Sequence, residues 1–113
     1  MTTLANKLRE QPGIDVKRLK PGTRLLVETE NCIYEMKVIR ADLGLLEISS
    51  SDPPLRLPTV GQHLGSRLPP TCEVEGWIGK GLLMSFRFRN GLYTSAPVIS
   101  AEVKGQNWHY AVF

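Results

Sequence analysis

The chain has 113 residues, of which 42% are hydrophobic and 22% are charged, and its net charge is +3. This length predicts a single domain, residues 1–113, that is large enough to bury a hydrophobic core. No apolar run approaches the roughly 18 residues that a membrane-spanning helix requires, and the N-terminal sequence MTTLANKLREQPG lacks the apolar core of a secretion signal. We therefore expect a soluble, cytoplasmic protein whose two cysteines, Cys32 and Cys72, remain reduced.

The charged residues are unevenly distributed along the sequence. Residues 1–24 carry six basic and two acidic side chains, and residues 25–79 carry four basic and eight acidic ones. Residues 80–113 carry four basic side chains and one acidic one. Such asymmetry is compatible with a local basic face although the total charge is small, and the simpler interpretation is a solvated surface of mixed charge.

The N-terminal segment predicts a short helix over residues 3–11. Leu4 and Leu8 are one helical turn apart, a threonine precedes them as a cap, and Pro12-Gly13 ends the helix. A helix of this length is not stable alone, so its leucines are expected to pack against the rest of the protein.

Three strands are predicted to follow the turn at Pro21-Gly22. Apolar and polar residues alternate over residues 24–30 and again over residues 32–40, and the connection between these two segments is very short. This pattern predicts an antiparallel hairpin. A second turn leads to a short third strand over residues 45–49, so that the three strands form a meander.

Residues 50–70 are predicted to form a proline-rich loop. Five of the eight prolines fall between Pro53 and Pro70. Because proline lacks a backbone donor and fixes its own φ, we expect no central strand here. Leucines within the segment indicate that parts of it pack against the domain.

The second half of the chain carries the clearest strand signals. Met84, Phe86 and Phe88 alternate with polar residues, the period of a half-buried strand, and Asn90-Gly91 follows as a hairpin turn. The four strands predicted in this half cover residues 72–78, 82–89, 92–103 and 107–112.

Together these elements predict an all-β fold. Seven short strands at regular spacing, with no helical pattern after residue 12, are typical of a β-barrel or β-sandwich. Gly76, Gly79 and Gly81 are spaced as glycines are at the sharp corners of a curved sheet. We therefore expect a small antiparallel β-barrel of about six or seven strands with a short N-terminal helix.

One pattern in this half resembles a family of small, uncharacterised bacterial single-domain β proteins. The family pattern is Gly-Trp-Ile-Gly, then Met-x-Phe, then Thr-Ser-Pro-Val, and this sequence departs from it by Ala96. No known activity is implied by the resemblance, which supports the one-domain β fold. The matching residues are Gly76, Trp77, Ile78, Gly79, Met84, Phe86, Thr94, Ser95, Pro97 and Val98.

The residue types that carry catalysis or bind metals are not arranged in recognisable motifs. Cys32, His63, Cys72 and His109 form no closely spaced pair of the kind found in zinc sites, so no metal is predicted. The serines have no nucleophile-elbow sequence, and the three glycines beginning at Gly76 lack the Lys-Ser/Thr ending of a phosphate-binding loop. We therefore predict a protein that is not an enzyme and that needs no cofactor.

Two binding functions remain. The first is a protein–protein interaction module, including self-association as a homodimer, in which an open sheet edge or a bent strand contacts the partner. The second is a nucleic-acid-binding barrel with a basic and aromatic face formed by Arg87, Arg89, Lys80, Trp77 and Tyr93, where arginines hold phosphates and rings stack on bases. The first hypothesis is preferred, because the sequence has no clustered basic run.

Overall fold

The computed structural model describes residues 7–8, 12–51, 56–68, 72–104 and 109–111, with the backbone alone at 68, 72 and 109–111. The predicted all-β fold is confirmed. The predicted helix over 3–11 lies outside the described residues except at Lys7 and Leu8, which are in helical conformation. The strands are β1 (Gly13–Asp15), β2 (Arg24–Thr29), β3 (Ile33–Arg40), β4 (Leu45–Ser50), β5 (Thr59–Leu68), β6 (Cys72–Glu75), β7 (Trp77–Gly79), β8 (Leu83–Phe88), β9 (Gly91–Lys104) and β10 (His109–Ala111).

The strands are antiparallel, and six of them are joined in a ring of hydrogen-bonded neighbours. The strand β2 pairs with β3, β3 with β4, and β4 with β5. The ring continues as β5 pairs with β8 and β8 with β9, and it closes where β9 pairs with β2. The strands β6 and β10 extend the same sheet from β5 and β9, and β1 pairs separately with β7.

The inner side of the ring is the hydrophobic core. Buried residues alternate with more exposed ones along β2 and along β3 as far as Ile39, because successive side chains of a strand point to opposite faces. Met84 and Phe86 of β8 also point inwards, as their alternation in the sequence predicts. The largest fully buried side chains are Tyr34, Phe86, Leu25, Leu46, Ile48, Ile78, Met84, Val16, Val27, Val38, Val74 and Val98.

The ring closes through β9, whose two halves pair with different neighbours. Residues 91–97 of β9 pair with β8, and residues 98–104 pair with β2. Pro97 lies at the change: its carbonyl accepts a hydrogen bond from the Glu30 N–H (3.1 Å), and a proline has no N–H to leave unpaired there.

A β-bulge accompanies this change of partners. Thr94 pairs with Ser85 and Pro97 with Leu83, so β9 has one more residue than β8 between the two pairs. The extra residue falls where Ala96 departs from the family pattern. The Met84 N–H donates to the Ser95 hydroxyl (2.9 Å), and the hydroxyl donates to the Ala96 carbonyl (2.8 Å). Ser95 thus supplies the acceptor for a backbone donor at the bulge.

The structure corrects the prediction of a loop over residues 50–70. Residues Thr59–Leu68 form β5, which pairs with β4, β6 and β8 and is therefore a central strand. The prolines of this segment lie on both sides of the strand and none lies within it, so they delimit β5 without interrupting its ladder. Gly61 and Gly65 interrupt the alternation of apolar and polar side chains by which a strand is recognised in a sequence. Gly61 lies directly under the ring of Phe88, and any β-carbon at Gly61 would clash with that ring.

The strands at the two predicted hairpins lie close to the predicted ranges. In the second hairpin, the register pairs Phe88 with Gly91, so the turn residues are Arg89 and Asn90, one position earlier than the sequence indicated. The predicted strand over 72–78 is divided at Gly76, whose φ of +69° turns the chain between β6 and β7.

We expect Ser95→Ala to destabilise the protein by about 2 kcal/mol, because it leaves the buried Met84 N–H without its acceptor. Chemical denaturation of the wild-type protein and the variant measures this difference. Thr94→Ala is the matched control, since Thr94 is the preceding residue of the same strand and is exposed, and its expected effect is below about 0.5 kcal/mol. Equal losses in both variants would contradict the role assigned to the Ser95 hydroxyl.

Candidate functional site

Arg87 and Arg89 lie at one end of the ring, at the tip of the β8–β9 hairpin. Arg87 points outwards from β8 and Arg89 lies in the turn, and both are exposed. Among the described residues, no carboxylate oxygen lies within 4.0 Å of either guanidinium group. Both side chains are therefore available to a ligand.

Lys80 and Trp77 lie at the opposite end of β8, so the structure does not bring them together with the two arginines. Lys80 is exposed in the turn that precedes β8. The indole of Trp77 packs over Gly13 and Gly79, where an added β-carbon would clash with it. Its Nε1 is buried and has no hydrogen-bond partner among the described residues. Trp77 thus packs against the backbone and is half-buried.

Tyr93 points into the ring, although it was predicted to belong to an exposed aromatic face. Its hydroxyl is hydrogen-bonded to the Tyr34 hydroxyl (3.0 Å), and its ring packs near Phe86 and Phe88. Burial is the main cause that raises the pKa of Tyr34, and the hydrogen bond to Tyr93 adds to it. Of the five predicted binding residues, only Arg87 and Arg89 share a surface.

That surface also carries exposed aliphatic side chains. Arg87 of β8 has one cross-strand neighbour on each side. These neighbours are Gln62 of β5 and Leu92 of β9, which face outwards with it. Val60 precedes Gln62 by two residues and faces the same way, and Leu57 comes just before β5 at the same end of the sheet. Leu92 is 72% exposed, Leu57 78% and Val60 52%. We call Leu57, Val60, Arg87, Arg89 and Leu92 the basic-apolar patch.

A groove on the outer face of β2, β3 and β4 is the second candidate surface. Its volume is about 330 Å³. Three basic side chains enter it from adjacent strands, and two carboxylates and an exposed proline line it as well. The residues whose side chains face this groove, called the outer groove below, are Arg24, Leu26, Glu35, Lys37, Glu47, Ser49, Pro58 and Lys104.

A second, smaller cavity has a volume of about 140 Å³, and the lysine that lines it already forms an ion pair. Lys17 Nζ lies 2.6 Å from Glu75 Oε1, and both residues line this cavity. Because this ion pair satisfies the lysine, the cavity offers less to an anion than the outer groove.

His63 is a buried ionisable side chain of the interior. Its ring packs edge-on against Phe86, with 5.5 Å between the ring centroids, and neither ring nitrogen has a hydrogen-bond partner among the described residues. Burial lowers the pKa of His63 to about 4, because the apolar surroundings disfavour the imidazolium ion.

The residues that were considered as metal ligands are not brought together in the described part of the chain. Among residues 7–8, 12–51, 56–68, 72–104 and 109–111, no three His, Cys, Asp or Glu side chains are grouped in a way that could hold a metal ion. Cys32 is a free thiol, half-buried next to Thr29. At Cys72 and His109 the structure describes the backbone alone.

We expect the stability of the protein to fall at acid pH because of His63. The unfolded chain binds a proton at this residue below pH about 6.5 and the folded protein only below about 4, so stability is lost as the pH falls through this interval. The loss amounts to about 3 kcal/mol between pH 7.5 and pH 4.

The test compares the free energy of unfolding of the wild-type protein and of His63→Leu over this pH range. Carboxylates titrate in both proteins, so the difference between the two curves isolates the histidine. We expect the free energy of unfolding of the wild-type protein to fall more steeply with decreasing pH than that of His63→Leu. Two parallel curves from pH 7.5 to pH 4 would contradict the assignment.

Comparison with models of known protein families, with curated proteins and with solved structures found no match. No helix in the described ranges is long and apolar enough to cross a membrane. A functional assignment therefore has to start from the chemistry of the basic-apolar patch and the outer groove.

Proposed function

We propose that this protein is a small antiparallel β-barrel that binds another polypeptide chain, without transforming it, through the basic-apolar patch. The closed ring of six paired strands supports the barrel. A ring of this kind presents a rigid outer surface, and ordering of the binding residues then costs little when a partner binds.

The observation that carries this proposal is the pattern of exposed aliphatic and guanidinium groups on one end of the sheet. Leu92 and Arg87 are direct cross-strand neighbours, and both are exposed. Arginine is enriched at the cores of protein interfaces, and an aliphatic group gains about 25 cal/mol for each Å² that a partner covers. A partner that satisfies both groups carries apolar side chains flanked by carboxylates.

The side chains of the patch favour binding over catalysis. Leucine and valine have no reactive group, and a guanidinium remains protonated at neutral pH, so it cannot act as a general base. The carboxylate that pairs with a residue of the patch is that of Glu47 in β4. Glu47 lies opposite Val60, on the side of the patch that is towards the outer groove. These residues can hold and orient a partner, which is the role proposed for them.

Nucleic-acid binding is the alternative, and the two free arginines are the observation that favours it. Single-stranded nucleic acid is generally held by cations together with rings that stack on bases. Here Trp77 packs over glycines and Tyr93 points inwards, so the rings are separated from the arginines. An acidic and apolar polypeptide fits the surface better than a base does.

The proposal predicts that the protein binds an acidic, leucine-containing peptide. Fluorescence anisotropy measures binding of a labelled peptide of about 12 residues, which when extended is longer than the distance across three strands, and in which leucine alternates with glutamate. We expect the wild-type protein to bind this peptide and the double variant Arg87→Ser/Leu92→Ser to bind it at least about tenfold more weakly, since both contact types are removed.

Two comparisons decide the outcome. Ile33→Ser is the control variant, because Ile33 is an exposed aliphatic residue of β3 outside the patch, and it should leave the affinity unchanged. The second comparison uses two other ligands. One is the same peptide with lysine in place of glutamate, and the other is a single-stranded oligothymidylate of 12 nucleotides. Tighter binding of the oligonucleotide than of the acidic peptide, or equal loss in Ile33→Ser, would overturn the proposal.

Self-association is tested in the same way. Sedimentation of the wild-type protein and of Arg87→Ser/Leu92→Ser shows whether the polypeptide bound at the patch is a second copy of the chain. A dimer that dissociates in the double variant supports the patch as a polypeptide-binding surface. A dimer that persists in it places the interface elsewhere and counts against the patch.

A further inference from the structure

The outer groove contains a row of three cations on three adjacent strands. Arg24 of β2 lies directly opposite Lys37 of β3 on one side and directly opposite Lys104 of β9 on the other. Direct cross-strand partners share a face of the sheet, and their neighbours Leu25, Met36 and Val103 are buried, so all three cations point outwards. At the backbone the row from Lys104 to Lys37 is about 10 Å long, twice the spacing of antiparallel residue pairs.

These cations are not neutralised within the described part of the chain. No carboxylate oxygen there lies within 4.0 Å of a charged nitrogen of Arg24, Lys37 or Lys104. Like charges directly opposite each other destabilise a sheet. An anion bound across the row would remove the repulsion.

The row lies in a concavity large enough for a small molecule. The groove volume of about 330 Å³ is at the lower end of the range for small-molecule sites. Pro58, ahead of β5, lines one side of it, and half-buried Leu26 adds an apolar contact next to Arg24. A ligand in the groove is thus partly withdrawn from water, which strengthens its attraction to the three cations.

Two carboxylates in the groove restrict which anion fits. Glu47 lies opposite Lys37, and Glu35 lies two residues before Lys37 on the same face. An ionised carboxylate only accepts hydrogen bonds. A molecule that is anionic throughout would be repelled by Glu35 and Glu47. A molecule with an anionic part for the cation row, and hydroxyl or amino groups for the carboxylates, satisfies both sets.

We propose that the outer groove binds a phosphorylated small molecule of the nucleoside diphosphate class, with its phosphates across Lys104, Arg24 and Lys37. Its hydroxyl and amino groups donate to Glu35 and Glu47. The row is about 10 Å long at the backbone, which is long enough for a ligand with more than one phosphate group. This inference uses residues outside the basic-apolar patch and does not depend on the proposed function.

Isothermal titration calorimetry on the full chain at low ionic strength tests the inference with adenosine diphosphate, adenosine and citrate. We expect adenosine diphosphate to bind, and adenosine and citrate to bind at least about tenfold more weakly, since adenosine lacks the anionic part and citrate has a single hydroxyl group for the two carboxylates. Arg24→Gln and Lys37→Gln should each weaken adenosine diphosphate about tenfold, the effect of losing one charge-assisted hydrogen bond.

Arg87→Gln is the matched control, because it removes an equally exposed arginine outside the groove, and it should leave the affinity unchanged. Thermal unfolding without ligand separates a binding effect from a folding effect. Arg24→Gln should melt no lower than the wild-type protein, since it removes one member of a repelling row. The inference is overturned by no measurable heat with adenosine diphosphate, by equal affinity for citrate, or by unchanged binding in Arg24→Gln.

Discussion

The fold depends on the pairing of one long strand, Gly91–Lys104, with two different neighbours. Its first half continues the hairpin with Leu83–Phe88, and its second half pairs with Arg24–Thr29, which comes from the other end of the sequence. The change falls at Pro97 and at the bulge around Ser95, and a bulge bends the strand that contains it. These two residues therefore contribute to the shape of a long-range closure.

Closure also decides what lies inside the protein and what lies outside. Once the six strands form a ring, every inward residue is enclosed, and a polar one must be satisfied internally or remain neutral. Tyr34 and Tyr93 satisfy each other through their hydroxyl groups. His63 has no such partner in the described ranges, and burial lowers its pKa, which favours the neutral imidazole. The arginines and lysines of the same strands are directed outwards, because their buried neighbours alternate with them along each strand.

The sequence predicts the local elements of this fold better than the contacts between distant ones. Alternation over β2, β3 and β8 identifies strands and their buried faces, since these features depend only on neighbouring residues. The strand β5 was missed because its glycines carry no hydrophobic signal and its flanking prolines indicate a loop. The inward position of Tyr93 depends on the register of the β8–β9 hairpin, which starts one residue earlier than the sequence indicates and pairs Tyr93 with buried Phe86. The outer groove depends on the register between β2 and β9, which come from distant parts of the sequence.

The uneven charge of the sequence acquires a physical meaning through that register. Arg24 belongs to the basic beginning of the chain and Lys104 to its basic end, and the closing strand pair places them side by side. The acidic middle of the chain supplies Glu47, which lies between Lys37 and Val60 in the same outward row and so separates the outer groove from the basic-apolar patch. The groove and the patch are therefore two electrostatically distinct surfaces, because a carboxylate between two groups of cations reduces the potential that either group produces at the other. The same closure that seals the core thus also sets the arrangement of charge on the outer face.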